Sequence, residues 1–298
     1  MDKLTQIALI GPTASGKTAL SIKIAKKLNA HILSLDSLSI YKEIDIVSAK
    51  PTVEEREGIH HFGMDHLSPN ENFDVTTFIR LYHQSYEQAL EEGKNLVIVG
   101  GTSFYLKMLI DGISALPTMS KKTLAKTDEK LRTLEETYRW LYSLDPDYMS
   151  QIASSDTYRI EKALHIFFET SMIPSKYFKA FPPTPTIAGM LPIYQIMIDK
   201  AILRERITLR TKQMIQNGLI DEICMLERKY TRAPNCMKAI GIKETLAYLD
   251  GIYDKKMLEE KIITHTARLA KRQTTFNQSQ FENVIKGSIA ELEKNLIG

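Results

Sequence analysis

The chain of 298 residues has few cysteines, and its two, Cys224 and Cys236, stand apart from any cluster of Cys or His residues. Such isolated cysteines form neither the framework of a disulfide-rich secreted protein nor a zinc site. Long apolar runs are also scarce. The first run, Ile7 to Ile10, is too short for a signal peptide or a membrane span and leads directly into a glycine-containing segment. We therefore expect a soluble, reduced protein of the cytoplasm.

Low-complexity segments and internal repeats are absent from the sequence as well. With 43% apolar and 25% charged residues, the composition is that of an ordinary globular protein, which excludes collagen-like and disordered classes. A chain of this length buries about three quarters of its unfolded surface on folding. One large domain or two modest domains are therefore feasible.

The net charge is only +3, but the charge is unevenly distributed. Residues 200–272 contain sixteen Lys and Arg against nine Asp and Glu, so the remainder of the chain is net acidic by four. A regional surplus of basic residues is typical of a surface that meets a polyanion such as nucleic acid, although most charged stretches are only solvated helix faces. Charge alone leaves both interpretations open.

Short β-prone runs alternate with helical segments along much of the chain. Helical periodicity is predicted after the first run, over Phe78 to Glu92, and over residues 202–218, where Gly218 is a candidate C-cap. The predicted strands are residues 5–10, a segment from His31 ending at Asp36, residues 95–101 and residues 191–199. This alternation predicts an α/β fold with a parallel sheet, whose ligand site lies at the carboxyl ends of the strands.

The stretch from about Ile113 to Thr186 differs in character from the strands around it. It consists of Lys/Glu-rich helical segments, with ALPTMS at one end and the proline cluster FPPTPT at the other. Proline-bounded insertions of this kind are plausible domain boundaries. We predict a catalytic core of residues 1–112 and 191–298, and an inserted, mainly helical domain of residues 113–190.

The strongest single motif is GPTASGKT, which follows the first predicted strand and opens a helix. Its residues are Gly11, Pro12, Thr13, Ala14, Ser15, Gly16, Lys17 and Thr18. The glycines allow backbone N–H groups to surround phosphate oxygens, Lys17 neutralises phosphate charge, and the Thr18 hydroxyl can complete a Mg²⁺ shell. The motif predicts a P-loop NTPase-like parallel sheet flanked by helices. It does not distinguish a nucleoside triphosphate from another Mg²⁺-bound diphosphate.

Further segments follow this phosphate loop in a characteristic order. They are DSLSIYKEIDIVSAKPT from Asp36, GIHHFGMDHLSP, VIVGGTSFYLKMLIDGI, SSDTYRIEKALHIFFETSMIP, LRERITLRTKQMIQNGLIDEI, AIGIKETLAYLDG and AKRQTTF. Over nearly its whole length the chain resembles the tRNA dimethylallyltransferases, or tRNA isopentenyltransferases. No Cys/His extension follows residue 280, which favours the bacterial type over the eukaryotic zinc-finger version.

The resemblance implies an activity and its partners. It implies transfer of a dimethylallyl group from dimethylallyl diphosphate to N6 of adenosine 37, in tRNAs that read codons beginning with U, with Mg²⁺ and without ATP. The macromolecular partner would be the anticodon stem-loop, where a base is unstacked more cheaply than in a duplex. The resemblance implies no membrane and no obligate protein partner, and a monomer is expected.

The resemblance also implies roles for individual residues around the diphosphate. Asp36 matches the family's catalytic aspartate, which takes a proton from N6, and Thr102 matches the threonine near the bridging oxygen. Lys17, Arg206 and Arg210 match basic positions that face the diphosphate. Without the resemblance, Asp36 is equally compatible with a Mg²⁺-shell residue or a turn former, and Arg206 with a solvated helix charge.

Four segments match family regions that touch tRNA. Their residues are Asp36, Ser37, Leu38 and Ser39 with Thr102; Tyr158, Arg159, Ile160, Glu161 and Lys162; Lys238, Ala239, Ile240, Gly241, Ile242 and Lys243; and Lys271, Arg272, Gln273 and Phe276. Lys, Arg, Gln and Tyr in these segments suit phosphate contact and base stacking. The inserted domain would clasp the anticodon arm.

The sequence departs from the family pattern at several of these positions. Ser39 replaces the usual Gln, and Asn277 and Gln278 replace the usual Phe and Arg, so a terminal arginine contact is absent. His60 and His61 match a family pair but are assigned no catalytic role. Residues 104–109 are expected in the core, with some of them walling an apolar pocket for the five-carbon group.

Three alternatives remain open at the level of sequence. A P-loop small-molecule kinase would share the loop and sheet but leaves the basic region without a role. An isopentenyltransferase acting on free adenine nucleotides would not need RNA. A non-enzymatic RNA-binding module would bind tRNA without forming a product.

Overall fold

The computed structural model describes residues 4–187 and 189–298. Within these residues the strands are β1 (Gln6–Ile10), β2 (Ala30–Ser34), β3 (His61–Phe62), β4 (Asn95–Gly100), β5 (Ile193–Ile196) and β6 (Ile285–Gly287). The helices are α1 (Lys17–Lys27), α2 (Val75–Glu91), α3 (Ser103–Asp111), α4 (Lys121–Leu131), α5 (Leu134–Leu144), α6 (Pro146–Met149), α7 (Thr157–Thr170), α8 (Pro174–Ala180), α9 (Lys200–Gln216), α10 (Leu219–Tyr230), α11 (Ile242–Leu249), α12 (Lys255–Gln280) and α13 (Ile289–Ile297). A 3₁₀ helix spans Asn235–Lys238.

The described chain divides into two compact units. The first takes its residues from Met1–Lys107 and Ile187–Gly298, and the second from Met108–Thr186. The boundaries lie a few residues before those predicted from the proline-rich segments, because the first boundary falls inside α3. An insertion of helical segments into a sheet-containing core is thus observed, with bounds slightly different from 113 and 190.

The first unit is built on a single parallel sheet flanked by helices. The strand order is β3-β2-β4-β1-β5-β6, and every neighbouring pair runs parallel. Strands β1, β2 and β4 are nearly continuous runs of buried residues, as expected for a parallel sheet covered on its faces. The α/β, P-loop NTPase-like fold class predicted from the motif and the strand alternation is confirmed.

The register of the sheet brings the ends of its central strands to one edge. Ile10 at the end of β1 pairs with Gly100 at the end of β4 and with Gln195 of β5. Ser34 at the end of β2 pairs with Val99. The segments that follow β1, β2 and β4 therefore leave the sheet side by side, as predicted for a ligand site at this edge.

Several boundaries differ from the sequence predictions. Strand β2 ends at Ser34, before Asp36, and α2 begins at Val75 because Asp74 caps it by accepting a hydrogen bond from Thr77 N. Helix α9 ends at Gln216 with Asn217 as its C-cap, and Gly218 (φ 100°) is the N-cap of α10. Strands β3 and β6 were not predicted, because two or three residues are too few for a periodic signal.

The second unit has a core of its own. Leu141, Met149, Ile152, Ile160 and Leu164 pack together from α5, α6, the following turn and α7. Apolar side chains at helical spacing, such as Ile160 and Leu164, produce this core. No helix in the described chain is both long enough and apolar enough to cross a membrane.

Candidate active site

The phosphate loop, residues 11–18, connects β1 to α1 and is held in a tight conformation. Gly16 has φ 92° and Ala14 has φ 62°, both in the left-handed region, which glycine adopts readily and alanine does not. Ser15 N donates a hydrogen bond to the Pro12 carbonyl, and Lys17 Nζ donates to the same oxygen at 2.6 Å. Lys17 opens α1, so the loop leads into a helix N-terminus as the motif requires.

The loop forms one wall of a cavity of about 360 Å³. Arg206 and Arg210, one helical turn apart on α9, face the loop from another side. Arg206 Nη1 donates to the Ser15 carbonyl at 3.2 Å, and Arg210 Nη2 donates to the Ser48 carbonyl at 3.3 Å. Both arginines thus line the same cavity as Lys17, and Arg206, although an exposed residue, donates a hydrogen bond to the loop.

The cations of this cavity lack anionic partners within hydrogen-bonding distance. In the described part of the chain no ion pair involves Lys17, Arg206 or Arg210, and Arg210 Nε is buried without a partner. Burial and the neighbouring Arg210 guanidinium lower the pKa of Lys17 to about 7, against a smaller opposing effect of Asp36. Burial also lowers the pKa of Arg210. Because buried unpaired charges are costly, this arrangement favours an anionic ligand.

Asp36 is the carboxylate beside these cations, and its side chain is held in one orientation. Its Oδ1 accepts hydrogen bonds from Leu38 N at 2.8 Å and Ser39 N at 3.1 Å. Its own backbone N–H donates to Ser34 Oγ at 3.3 Å. Two N–H donors occupy Oδ1, so Oδ2 is the oxygen available to a ligand.

The turn of Gly100, Gly101 and Thr102 lies directly beside Asp36. Leu35 N donates to the Val99 carbonyl at 2.7 Å, and Thr102 N donates to the Leu35 carbonyl at 3.2 Å. These bonds extend the pairing of β2 and β4 past the strands and place Thr102 next to the residue before Asp36. The predicted proximity of Asp36 and Thr102 follows from the parallel register.

A second cavity of about 230 Å³ adjoins the first. The two share Thr13, Asp36, Ser48, Arg210 and Gln273 in their linings. Apolar side chains of the second cavity come from α9, α12 and neighbouring loops. They are Leu38, Val47, Ile207, Met214, Ile240, Ile262 and Leu269. The site thus joins a cationic pocket to an apolar one, with Asp36 in the lining of both and Thr102 in the lining of the second.

The apolar wall does not come from residues 104–109, where the sequence suggested it. Leu106 and Leu109 are fully buried, which confirms the core interpretation for these two, whereas Phe104 is 46% exposed. Neither cavity is lined by any of the six residues, so the suggestion that some of them wall the pocket was wrong. Helix α3 packs its apolar side inward, and long-range neighbours supply the wall.

The residues predicted to face RNA in the first unit separate into several environments. Lys238, Lys243, Lys271 and Arg272 are exposed. Ala239, Ile240 and Gly241 line the second cavity, and Ser37 and Leu38 line it as well. Ser39 is buried in the lining of the first cavity. Ile242 has no exposed surface, so its predicted side-chain contact with RNA is wrong, and it packs in the core instead.

In the second unit the predicted segment lies on α7. Tyr158 is 67% exposed and Arg159 is exposed, while Lys162 Nζ lies 5.1 Å from the centre of the Tyr158 ring and 3.2 Å from Glu161. Ile160 is fully buried in the unit's core. Its prediction as an RNA contact is wrong, because the helical period turns it away from Tyr158.

Phe276 and Gln273, three residues apart on α12, have different surroundings. Phe276 lines an open surface groove of about 580 Å³ together with Arg268, Lys271, Arg272, Thr275 and Ser279. Gln273 instead accepts a hydrogen bond from Thr13 N of the phosphate loop at 2.8 Å. A segment read as a single RNA contact thus carries both a cationic groove and a contact with the loop.

Sequence reasoning missed several residues that shape the site. Gln213 lines the first cavity and Met214 the second, and both follow Arg206 and Arg210 at helical spacing, a signal that could have found them. Glu222 of α10 accepts hydrogen bonds from the backbone N–H groups of Asp45, Ile46 and Val47, which holds the segment carrying Ser48. No local signal in the sequence identifies Glu222.

No catalytic role was assigned to His60 and His61, and the structure places His61 in the lining of the first cavity, where its Nε2 is buried without a hydrogen-bond partner in the described chain. His61 Nδ1 lies 2.8 Å from the Ile59 carbonyl, and the His60 ring packs edge-on against Phe62. Burial lowers the pKa of both histidines, which keeps both rings neutral near pH 7.

The donor set near the loop suits a hard cation held jointly with phosphate. The described residues contain no group of three or more His, Cys, Asp or Glu side chains suited to a metal ion. Thr18 and Asp36 both line the first cavity, however, and Mg²⁺ is usually held by one or two protein oxygens, substrate phosphates and water. The residues fit Mg²⁺ bound in this manner. Cys224 and Cys236 are both free thiols.

Comparison with known proteins agrees with this arrangement. The family model described as "IPP transferase" matches residues 39–280. A protein of a Sulfurovum species named "tRNA dimethylallyltransferase" is 70% identical over 294 residues, covering 99% of this chain and 98% of its own.

Solved structures give the same result. The tRNA delta(2)-isopentenylpyrophosphate transferase of Staphylococcus epidermidis is 30% identical, with a TM-score of 0.69 over 99% of this chain and 96% of its own. A eukaryotic dimethylallyltransferase described as acting on tRNA is 25% identical, with a TM-score of 0.84 over 98% of this chain and 76% of its own. Sequence, fold and site geometry together show that this chain belongs to the IPP transferase family, among the tRNA dimethylallyltransferases.

Proposed function

We propose that this chain transfers a dimethylallyl group from dimethylallyl diphosphate to N6 of adenosine 37 in tRNAs that read codons beginning with U. The observation that carries the proposal is the junction of two pockets. A cationic pocket at the phosphate loop suits a diphosphate, and an apolar pocket beside it suits a five-carbon chain. Asp36 lines both pockets, and Thr102 lines the apolar one.

The reaction breaks the bond between C1 of the dimethylallyl group and the diphosphate oxygen. The electron pair leaves with the diphosphate, whose growing negative charge is stabilised by Lys17, Arg206, Arg210 and the loop N–H groups. An allylic carbon tolerates partial positive charge, so stabilising the leaving group is a large part of catalysis. This explains why the cations of the site face a cavity and lack carboxylate partners.

The new bond forms between C1 and N6 of the adenine. N6 uses its lone pair to attack, and the proton that it must lose goes to Asp36. Because Oδ1 already accepts hydrogen bonds from Leu38 N and Ser39 N, Oδ2 is the oxygen that receives this proton. The same two bonds keep the carboxylate aimed into the junction.

Thr102 and Thr18 support the leaving group from two sides. The Thr102 hydroxyl donates to the bridging oxygen of the diphosphate, where charge accumulates as the bond breaks. Thr18 would hold Mg²⁺, which when bound supplies further positive charge for the diphosphate.

Exposed cations and aromatic side chains form the proposed tRNA-binding face. On α12 these are Lys271, Arg272 and Phe276, and near α11 they are Lys238 and Lys243. In the second unit, Tyr158, Arg159 and Lys162 are proposed to meet the anticodon arm. Lys and Arg suit phosphates, and aromatic rings suit unstacked bases. We propose a cytoplasmic monomer that needs no protein partner.

One assay tests the proposed activity. The protein is incubated with Mg²⁺, dimethylallyl diphosphate and unmodified tRNA, and the products are analysed by mass spectrometry after nuclease digestion. We expect an adenosine carrying one dimethylallyl group at position 37, with no ATP consumed. Parallel reactions with AMP and ATP should give negligible product. Equal turnover of AMP and tRNA, or absence of product with tRNA, would contradict the proposal.

A further inference from the structure

Gln273 on α12 contacts two separate parts of the candidate active site. Its Oε1 accepts a hydrogen bond from Thr13 N of the phosphate loop at 2.8 Å. Its Nε2 lies against Gly101, where an added Cβ would be 2.5 Å away. Gln273 also lines both cavities. One amide group therefore joins the loop that carries Lys17 to the turn that carries Thr102.

The loop touches the same face of α12 one turn earlier. Ala14, which follows Thr13, packs against a cluster that includes Ala270, with Ala267 beside it. Residues 267, 270 and 273 follow one another at intervals of three and share one side of the helix. Since Ala14 has φ 62°, a conformation that costs a non-glycine residue energy, packing on this side helps to hold the loop in shape.

The cationic groove occupies other positions of α12. Its lining residues include Lys271, Arg272 and Phe276 but not Gln273. Resemblance to the family placed Gln273 with these three as an RNA contact, whereas its hydrogen bond is to the phosphate loop. The side chain suits that position chemically, because a neutral amide accepts from the loop N–H without bringing negative charge to a diphosphate site.

We propose that Gln273 is a positioning residue of the transfer reaction, fixing the phosphate loop relative to the turn of Gly100, Gly101 and Thr102, and that it does not bind RNA. The proposal rests on the proposed function, since it takes a diphosphate as the ligand of the loop. Lys17 stabilises the charge of the departing diphosphate, and the Thr102 hydroxyl donates to its bridging oxygen. Loss of the link lets these two groups drift apart, and misplacement by about 1 Å can slow a reaction about 100-fold.

The test separates diphosphate binding from RNA binding in the full-length chain. Gln273→Met keeps the length of the side chain but removes its hydrogen bond, and Gln273→Glu keeps an acceptor but adds negative charge. Lys271→Ala removes a groove cation, and Gln280→Ala changes an exposed amide at the end of the same helix. Each variant is compared by affinity for inorganic diphosphate, affinity for unmodified tRNA, single-turnover rate with saturating tRNA, and thermal unfolding.

For Gln273→Met we expect about tenfold weaker diphosphate binding, a single-turnover rate lower by about 10- to 100-fold, and tRNA affinity within about twofold of the parent. Gln273→Glu should weaken diphosphate binding further. Lys271→Ala should show the converse pattern, with weaker tRNA binding and unchanged diphosphate affinity, and Gln280→Ala should change neither.

Weaker tRNA binding by Gln273→Met with unchanged diphosphate affinity would overturn the proposal. So would a fall of all affinities together with the unfolding temperature, since that identifies a purely structural role. Diphosphate affinity can be measured whether or not dimethylallyl transfer occurs. Failure of the proposed activity and failure of the role of Gln273 are therefore distinguishable.

Discussion

Two sets of basic side chains in the first unit differ in what surrounds them. Lys229 and Arg232, near the end of α10, form ion pairs: Lys229 with Glu43 at 2.8 Å, and Arg232 with Asp250 through two bonds of 2.7 Å each. Lys17 and Arg210, beside the phosphate loop, have no such pair in the described chain. We refer to these as the paired set and the unpaired set.

The environment shifts the pKa values of the two sets in opposite directions. Hydrogen bonds donated to carboxylates raise the pKa of Lys229 and of Arg232. Burial lowers the pKa of Lys17 and of Arg210. The paired cations have carboxylate partners in the fold itself, whereas Lys17 and Arg210 donate to backbone carbonyls, which do not neutralise their charge. The contrast distinguishes charge that serves structure from charge that serves a ligand.

The largest expected effect concerns Asp36, the carboxylate nearest the unpaired set. If Asp36 were simply a counterion, its removal would matter little to turnover. As the proton acceptor, it is required for the chemistry. We expect Asp36→Asn to lower the single-turnover rate by about 100-fold or more while tRNA affinity is retained.

Diphosphate affinity of the same variant provides the control. Removing the negative charge of Asp36 should leave the affinity for inorganic diphosphate unchanged or increased, because the cations then lose a competing anion. Near-normal turnover of Asp36→Asn would remove Asp36 from the role of base.

The next prediction exchanges one cation of each set for an apolar side chain of similar length. Arg210→Met should weaken diphosphate binding by about 10- to 100-fold, as expected for loss of a charge-assisted hydrogen bond of about 1.5–3 kcal/mol, without lowering the unfolding temperature. Arg232→Met should leave diphosphate binding unchanged and lower the unfolding temperature slightly, since exposed ion pairs contribute little. Calorimetric titration and thermal unfolding measure both. If the two variants change diphosphate affinity and unfolding temperature equally, the distinction between the paired set and the unpaired set is wrong.

The low pKa of Lys17 predicts a pH dependence of binding. Below about pH 7 the ammonium form is already present, whereas above it the free protein must take up a proton before Lys17 can pair with the ligand. Diphosphate affinity should therefore fall as pH rises above about 7, by up to about tenfold per unit. The unfolded chain keeps this proton up to its ordinary pKa of 10.5. The free energy of unfolding of the ligand-free protein should therefore increase as the pH rises above about 7.

Titrations at several pH values, with Lys17→Met as the reference, isolate this effect from the ionisation of diphosphate itself. Calorimetry at pH 8 in buffers of different ionisation enthalpy should detect proton uptake in the parent and less in Lys17→Met. An identical pH dependence of the two proteins would show that Lys17 remains charged without a ligand.

The smallest effect is expected for Thr102, an uncharged neighbour of the unpaired set. Thr102→Ala removes one neutral hydrogen-bond donor, and we expect about tenfold slower transfer with unchanged tRNA affinity. Thr102→Ser, which keeps the hydroxyl, should retain most of the rate. A defect in tRNA binding alone would contradict the placement of Thr102 at the diphosphate.

Local patterns were sufficient to predict much of the fold and part of the site. The phosphate loop, the parallel arrangement and the meeting of Asp36 with Thr102 follow from strands that each end in an unusual segment. Arg206 and Arg210 were placed at the diphosphate by the resemblance to the family. These predictions succeeded because each depends on neighbours in sequence or on the shared edge of a parallel sheet.

The rest depended on contacts between distant segments. The apolar cavity takes Met214 from α9 and Leu269 from α12. Residues 104–109 looked suitable but line neither cavity, and of these Leu106 and Leu109 pack into the core. Ile160 and Ile242 lie in segments that resemble RNA contacts, yet both are fully buried. A motif marks a segment, but helical period and packing decide which of its side chains reach the surface.

By itself, the sequence determined the type of fold, the phosphate loop and the family, because these are encoded in short patterns whose geometry is local. Tertiary structure alone decided which cations remain unpaired, where the apolar wall lies, and that Gln273 contacts the phosphate loop. Thr13 and Gln273 are 260 residues apart. Only the packing of α12 beside the loop brings the amide of one within hydrogen-bonding distance of the other.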